Sequence, residues 1–549
     1  MQSILKTRTR CAFLVIALAC LPSTLPLSAQ AIYGSIYGQV TDPSGAAIPN
    51  ATITVSDESK GTSVQVTSNQ SGEYTVPNLI PDVYDVKAEA AGFRAVENHG
   101  LQVSADTSPK VDLKLSVGNA TESVTVTTEA PQLQTDRADV GTVFNQKTIS
   151  GLPIAGRNFA SLQLLIPGAQ AMGWTQNNAE DSQGSPTVNI QGQFFAGVGY
   201  LLDGASNQDP ILGQIVINPP LDAIGEAKIS TQSYDAEFGQ SVAAVVSAQT
   251  KSGTNDFHGD AFDYRRSGAQ LARNPFNQFA PYSTLSTRLT PPALYSQFGG
   301  SLGGPILKNK AFFFGDYQGL RQRNGASAQE TVPTALAHNS CLSGNGCDLS
   351  EFLAGRGAAQ GQIYNPRAGA APFVNNFIPN QYLSPQALYL LKLIPLPNSP
   401  GTQDGTANNY NAGGTGATNQ NQFDVRVDYE LRQSVHTFGR YSYFDNKNSA
   451  STIFGAAGGA GFSSSTNDFG GSATGRNQSA VTGMDIGLNP KLLTDFRLGY
   501  LRYHVSTEKY DGTQDLATMA GIPGLNLGTT FTAGAPGFFM NNTSGGSGD

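Results

Sequence analysis

Apolar and polar residues alternate with a period of two along much of the chain, and changes in that alternation divide it into three parts. In the first, residues 32–117, Gly38–Gly45 reads as a strand entering a Pro/Gly turn. Ala51, Ile53 and Val55 then alternate with Thr52, Thr54 and Ser56, the period of a half-buried strand. Ser71–Val76 and Tyr84–Ala88 continue the pattern, Ala91–Phe93 turns, and Val111, Leu113, Leu115 and Val117 alternate once more. Short strands with turn signals every 8–12 residues or so predict a small β-sandwich, immunoglobulin-like or prealbumin-like. Nothing in it suggests catalysis.

Residues 118–130 form a polar stretch ending before Pro131. Its β-branched run, Glu122, Ser123, Val124, Thr125, Val126, Thr127 and Thr128, reads either as a linker or edge strand, or as an extended segment that adds to a partner's sheet. Residues 131–254 are mixed. A short helix is predicted over Asn158–Leu165, with Asn158 as N-cap and Leu162, Leu165 and Ile166 as its apolar face. Strand-like runs follow at Thr187–Gln191, Gly199–Leu202, Glu226–Gln232 and Ser241–Gln249, with a turn at Asp203 and Gly204. This is a compact α+β unit.

After Gly253 the strands become amphipathic and rich in tyrosine and phenylalanine. In Phe423–Leu431 the odd positions are Phe, Val, Val, Tyr and Leu, while the even positions are Asp, Arg, Asp and Glu. A soluble sheet can carry that pattern. Its repetition beside aromatic residues and long polar loops favours a transmembrane antiparallel β-barrel. Further strands are predicted at Phe257–Arg266, Tyr295–Leu302, Ala311–Leu320, His436–Phe444, around Met484–Leu488 and at Phe496–Tyr503, with an eighth near Phe538. The long loops are Arg323–Gln420 and Asn446–Gly475. The fold class is thus mainly β: sandwich, α+β unit, then barrel strands.

Lys6, Arg8 and Arg10 precede an apolar run, Cys11–Leu21, and small residues at Ala29 and Ala31, so residues 1–31 read as a secretory signal peptide. A lipoprotein leader ending at Cys20 is the alternative, but Ala17 stands where such leaders carry leucine. Cys341 and Cys347 then remain, and in an exported chain they read as a disulfide closing a surface loop. A zinc site is the weaker reading, since His338 is the only nearby histidine. No other stretch reaches the roughly 18 apolar residues of a spanning helix. Charged residues are only 13% of the chain, with a formal charge of −8 and no basic tract, which excludes a nucleic-acid partner.

Enzyme patterns fail on context. Gly299–Gly303 fits G-x-S-x-G, but Gly304 and Pro305 follow where the nucleophile elbow needs a helix. His99, His258, His338, His436 and His504 show no metal-ligand spacing. Asp203 and Asp209 flank a turn without the spacing of a calcium loop, and Gly455–Gly461 lacks the lysine of a phosphate loop. No catalytic residue, metal or cofactor is expected.

The order of parts resembles a TonB-dependent outer-membrane receptor whose plug is preceded by a carboxypeptidase-regulatory-like domain. Gly38–Val55 and Gly72–Phe93 resemble that domain, which implies no peptidase. Glu122–Thr127 resembles a TonB box just before the plug; Leu152–Phe159, with Arg157 and Asn158, and Leu201–Gly204, with Asp203 and Gly204, resemble plug motifs. Tyr234–Gly259 resembles the plug end and first barrel strand, and Gln297–Ile306 with Phe312–Gly319 the next hairpin. The resemblance implies a plug at 131–254, a barrel from 255 to 549 in outer-membrane lipid of a Gram-negative-type bacterium, and TonB of the inner membrane as partner. It also implies import of an extracellular substrate that the sequence does not identify. Such a barrel has about 22 strands, which at roughly 10 residues each need about 220 residues before loops. The visible strands are fewer and Asn541–Asp549 reads as a loop, so a fragment of a longer receptor, with a partial barrel, is expected. The rival reading is a surface adhesin or scaffold without transport.

Overall fold

The computed structural model describes residues 33–534 apart from 106, 119–122, 128–137, 173–184, 273–292, 357–360, 433–434, 456–457, 459–469, 490–491 and 511–513. The leader, Glu122, Thr128 and the strand expected near Phe538 lie outside the described residues.

The first unit is a two-layer sandwich. Its strands are β1 (Gly34–Thr41), β2 (Thr52–Asp57), β3 (Ser63–Thr67), β4 (Glu73–Leu79), β5 (Asp82–Glu89), β6 (Ala95–Val103), β7 (Leu113–Lys114) and β8 (Ser123–Thr127). One sheet runs β4-β1-β7 and the other β3-β2-β5-β6-β8. The period-two apolar residues face each other: Ile36 and Val40 of β1 pack with Ile53, Val55, Val86, Leu113 and Leu115. The segment leading into β7 lies so close beside β1 that a Cβ at Gly38 would lie 1.9 Å from the Val111 carbonyl oxygen. Lys60 is buried between Asp57 (3.5 Å) and Asp82 (3.0 Å). Burial disfavours its charge, but the two carboxylates outweigh burial and raise its pKa. Strand β8, which falls inside the predicted linker, pairs parallel with β6.

The central unit comprises β9 (Val140–Asn145), β10 (Ala169–Ala171), β11 (Val188–Ile190), β12 (Val198–Leu202), β13 (Ala205–Ser206), β14 (Ile224–Gln232) and β15 (Ala244–Thr250). Its main sheet runs β13-β12-β15-β14-β9, with β12 and β15 parallel. Asn145 caps an unpredicted helix, Gln146–Gly151, by accepting the Thr148 N–H. The predicted helix is a 3₁₀ run, Phe159–Leu165, and Asn158 caps it by accepting the Ala160 N–H (3.0 Å). Its inner face is Phe159, Ala160, Leu162 and Gln163. Leu165 is exposed, because the run ends beside it and the chain turns outward through Pro167 and Gly168.

The third unit is a large antiparallel sheet. Its strands are β16 (His258–Ser267), β17 (Ala293–Leu307) and β18 (Ala311–Glu330), followed by an excursion over residues 331–409. That excursion holds short helices and four two-residue strands, β19 (Cys347–Asp348), β20 (Tyr364–Asn365), β21 (Ala371–Pro372) and β22 (Phe377–Ile378). The sheet resumes with β23 (Tyr410–Arg432), β24 (Val435–Ala450), β25 (Gly471–Asn489), β26 (Leu492–Arg502) and β27 (Val505–Lys509). The order is β16-β17-β18-β23-β24-β25-β26, with β27 also on β25. Strands extend well beyond the amphipathic cores. β18 and β23 stay paired from Ala311↔Tyr429 to Glu330↔Tyr410, so the predicted loop limits at 323 and 420 are corrected to 330 and 410. Polar Gly/Asn/Ser flanks show no alternation, yet their backbone groups still need partners and continue the ladder. Asn409 closes the base of the excursion: it accepts the Val332 N–H (2.8 Å) and donates to the Val332 carbonyl (2.8 Å). Cys341 and Cys347 are disulfide-bonded within it.

Candidate functional site at the interface of the central unit and the large sheet

In a soluble sheet the apolar face of Phe423–Leu431 would be the buried one. The opposite is found: Asp424, Arg426 and Asp428 are buried at 2–6% exposure, whereas Val425, Val427 and Leu431 are 40–46% exposed. The inversion repeats. β24 buries Arg440, Ser442, Asn446 and Asn448 with Phe438 and Phe444, and exposes Tyr441. β26 exposes Phe496, Leu498 and Tyr500 while Arg497 turns inward. Phe423 stacks on Tyr443 on the outer surface, with ring centroids 5.4 Å apart. Apolar-out, polar-in alternation is the pattern of a sheet whose outer face meets lipid.

The inward charges meet the central unit. The turn after β12 places Asp203 and Gly204 at φ values of 50° and 75°, the left-handed pair of a tight I′ hairpin favoured by Asp-Gly. This turn aims the fully buried Asp203 carboxylate at the sheet. Oδ1 accepts from Arg426 Nη1 (3.0 Å) and Thr250 N (2.9 Å); Oδ2 pairs with Arg440 Nε (2.6 Å) and accepts from Thr250 Oγ1 (2.9 Å). Arg426 also donates to the Thr250 carbonyl (3.0 Å) and pairs with Asp428 (2.8 Å). Ser252 Oγ donates to Asp428 (2.9 Å). Ser442 donates to Asp424 and accepts from Arg440. Charges this deep are tolerated only when paired and hydrogen-bonded.

A second clamp forms at the first strands of the sheet. Arg157, at φ 54°, pairs with Asp222 (2.5 Å), and its guanidinium lies 4.4 Å from the Phe262 ring centroid and 5.3 Å from that of Tyr264. The adjoining Gly156 carbonyl accepts from Gln297 Nε2 (3.1 Å). Where the chain passes from the central unit to β16, Gly253 is wedged against the Phe313 and Gly304 carbonyls, and a Cβ would meet them at 2.3 and 2.5 Å.

The sandwich joins both other units. Tyr33 OH donates to Asp485 and accepts from Arg497 Nη2 (2.9 Å). Asn255 Nδ2 donates to the Lys60 carbonyl (2.5 Å). Ala105 N donates to Glu226 Oε1 (2.6 Å), and burial raises the Glu226 pKa to about 6.

Of the residues singled out in the sequence, Arg157, Asp203 and Gly204 lie at this interface, and Asn158 orders the run beside it. Ser123–Thr127 lies apart on the sandwich, and Cys341–Cys347 in the excursion. Asp209 accepts the N–H groups of Ile211 (3.0 Å) and Leu212 (2.7 Å), which makes it a turn cap. Ser301 sits mid-strand in β17, not on a strand-to-helix elbow. Among the described residues no group of three or more His, Cys, Asp or Glu is placed to hold a metal. Sequence reasoning missed Tyr33, Arg440, Asp485 and Arg497 as interface residues. The alternation marks Arg440 and Asp485 as inward, but gives no partner.

The family model described as an outer membrane beta barrel domain matches residues 249–549, more than half of the chain. The chain belongs to the outer membrane beta barrel family. Its place is the outer membrane of Gram-negative bacteria, and the inverted alternation of the large sheet is its lipid-facing wall. A carboxypeptidase regulatory-like model matches residues 35–116, the sandwich. The chain is similar to the TonB-dependent transporter Oar of Myxococcus xanthus, 29% identical over 310 residues that make up 53% of this chain and 28% of that protein. It therefore spans just over a quarter of that relative's length. Among solved structures it is similar to the outer membrane transporter YddB of Escherichia coli, 12% identical with a TM-score of 0.38, covering 66% of this chain and 39% of that one. It is also similar to the siderophore receptor PirA of Acinetobacter baumannii, 12% identical with a TM-score of 0.30, covering 68% and 49%. At these scores the structural likenesses carry no argument. The relatives are transporters and receptors, not enzymes.

Proposed function

We propose that the chain is the N-terminal part of a TonB-dependent transporter, in which residues 131–254 are a plug held against the barrel wall. The observation that supports this most is the Asp203 clamp. A unit fastened to a wall by charge-assisted hydrogen bonds can be released and refastened without covalent chemistry, since each polar group regains a partner, in water or in the clamp. TonB, energised from the inner membrane, is the partner of Glu122–Thr128. Load applied there reaches the plug first at β9, whose entry is pinned by the buried pair of Asp139 and Lys228 (2.8 Å). Substrate binds on the extracellular side, and the Gly/Asn/Gln-rich loops suit a carbohydrate, a peptide or a metal chelate equally.

The test is deletion of Glu122–Thr128 in the native full-length gene, followed by uptake of labelled oligosaccharides, peptides and iron chelates. Uptake of one class falls to the uncoupled level while its binding at the cell surface persists. Unchanged energy-dependent uptake in the deletion sinks the assignment of that segment. An absence of any energised accumulation in wild-type cells favours the adhesin or scaffold.

A further inference from the structure

We propose that the sandwich and the rim of the wall together hold the headgroup of an anionic phospholipid from the periplasmic leaflet, with Lys310 and Arg432 as its cationic ligands. The inference uses the outer-membrane placement of the large sheet and is independent of TonB coupling. A cavity of about 600 Å³ lies between the sandwich and the wall, within the range of about 300–1,000 Å³ common for small-molecule sites. Val64, Val66 and Ile80 line it from the sandwich, and Lys310, Leu431 and Arg432 from the wall. Its two sides are tied together. Asn255 Nδ2 donates to the Lys60 carbonyl (2.5 Å) and to Asn309 Oδ1 (2.6 Å), while Asn255 Oδ1 accepts the Asn309 N–H (2.8 Å).

The position along the wall supplies the occupant. β17 ends at Leu307 and β18 starts at Ala311, while β23 ends at Arg432 and β24 starts at Val435. Turns this short mark the periplasmic end of an outer-membrane barrel. Leu431 lines the cavity and also belongs to the outward row of Val425 and Val427, so the cavity reaches the lipid-facing surface. Lys310 Nζ lies 5.6 Å from the ring centroid of Tyr429 in the same row. An aromatic ring and a long cationic side chain at a strand end sit at headgroup level.

Charge is sorted across the cavity. Asp57, Glu430 and Asp485 also line it, but Asp57 has Lys60 at 3.5 Å, Asp485 has Arg497 at 2.7 Å, and Glu430 lies in electrostatic range of Lys60 and His436. Lys310 and Arg432 are in no ion pair among the described residues. Two cations without a carboxylate, beside apolar surface at headgroup depth, match a phosphodiester whose acyl chains stay in the bilayer. The guanidinium fork of Arg432 suits phosphate oxygens in particular.

The test places the full-length receptor in nanodiscs of equal phosphatidylglycerol and phosphatidylcholine, and reads retained lipid by native mass spectrometry. Wild type retains phosphatidylglycerol over phosphatidylcholine by about tenfold or more, and Lys310→Gln or Arg432→Gln each lowers that ratio by about fivefold. Both residues are exposed, so folding is unaffected. Lys308 shares the turn with Lys310 but does not line the cavity, and Lys308→Gln stays within twofold of wild type. Gln65→Trp fills the cavity from an exposed position of β3 and lowers retention at unchanged charge. A wild-type ratio near one overturns the proposal. So does a loss in Lys308→Gln equal to that in the cavity variants, which would mean diffuse surface attraction. Displacement of the lipid by glycerol phosphate at equal concentration would mean that phosphate alone is read, and overturns the lipid as occupant.

Discussion

Asp203→Asn removes one charge from the centre of the clamp with almost no change of shape. Two arginines lose it at once, and both are buried: Arg440 at 1% side-chain exposure and Arg426 at 7%. Arg426 keeps Asp428 at 2.8 Å, whereas Arg440 keeps the Ser442 and Ser479 hydroxyls but, among the described residues, only one carboxylate, Asp424 at 4.0 Å, so its charge is left poorly compensated. Removing one partner of a buried pair costs about 3–5 kcal/mol. The asparagine oxygen still accepts the Thr250 N–H, which places the substitution near the lower end, about 3 kcal/mol. At 1.4 kcal/mol per factor of ten, local opening of the clamp becomes about a hundredfold more frequent. Amide exchange in the full chain, held in lipid nanodiscs, reads this directly. Protection over Val245–Thr250 and Leu201–Ala205 falls about a hundredfold, while Ile53–Val55 in the sandwich is unchanged. A change under threefold at Val245–Thr250 refutes the clamp as the element that fastens the two units.

Arg157→Ala removes the Asp222 pair and the ring contacts with Phe262 and Tyr264, partly exposed interactions together worth about 1–2 kcal/mol; faster exchange at Ala155–Asn158, with Val245–Thr250 unaffected, is the expected result. Glu226 has a folded pKa raised by burial, so the folded state holds its proton more tightly than the unfolded chain and this group's contribution falls as pH rises from about 4.5 to about 6. Glu226→Gln therefore gains about 2 kcal/mol over wild type at pH 7 relative to pH 4, a difference that already includes the charged acceptor's bond to the Ala105 N–H; thermal melts at both pH values, differing between the two proteins by the same amount at each, would contradict it. Lys60→Met strands Asp57 and Asp82 in the sandwich and costs about 3–5 kcal/mol; a urea midpoint for the loss of sandwich exchange protection equal to that of wild type counts against a structural role for the pair.

What could be read from the sequence follows from what a period of two encodes. The sandwich strands and the cores of seven wall strands alternate because one face is dry and the other wet, or one lipid-facing and the other buried. The even positions of Phe423–Leu431 were legible as one face, and only composition with aromatic context said that the charged face turns inward. Three things were hidden. Asp203 and Arg426 are 223 positions apart, and no local pattern pairs them. The wall strands outrun their amphipathic cores, since polar backbone pairs without any apolar face. β27 at Val505–Lys509 is five mostly polar residues on the same grounds. The excursion at 331–409 reads as loop because its order comes from single buried amides, Asn376 and Asn409, not from periodicity.

The central proposal is that Glu122–Thr128 takes load from TonB, and that this load opens the contact between the unit at 131–254 and the wall. Ala205, beside the Asp203 turn, packs against Phe438 and Val481 of the wall. With Ala205→Cys in the full-length receptor, labelling by a membrane-impermeant maleimide added to growing cells reports whether that contact opens. The account predicts labelling in energised cells that a protonophore, or deletion of Glu122–Thr128, abolishes. Labelling to the same extent in all three conditions would contradict it.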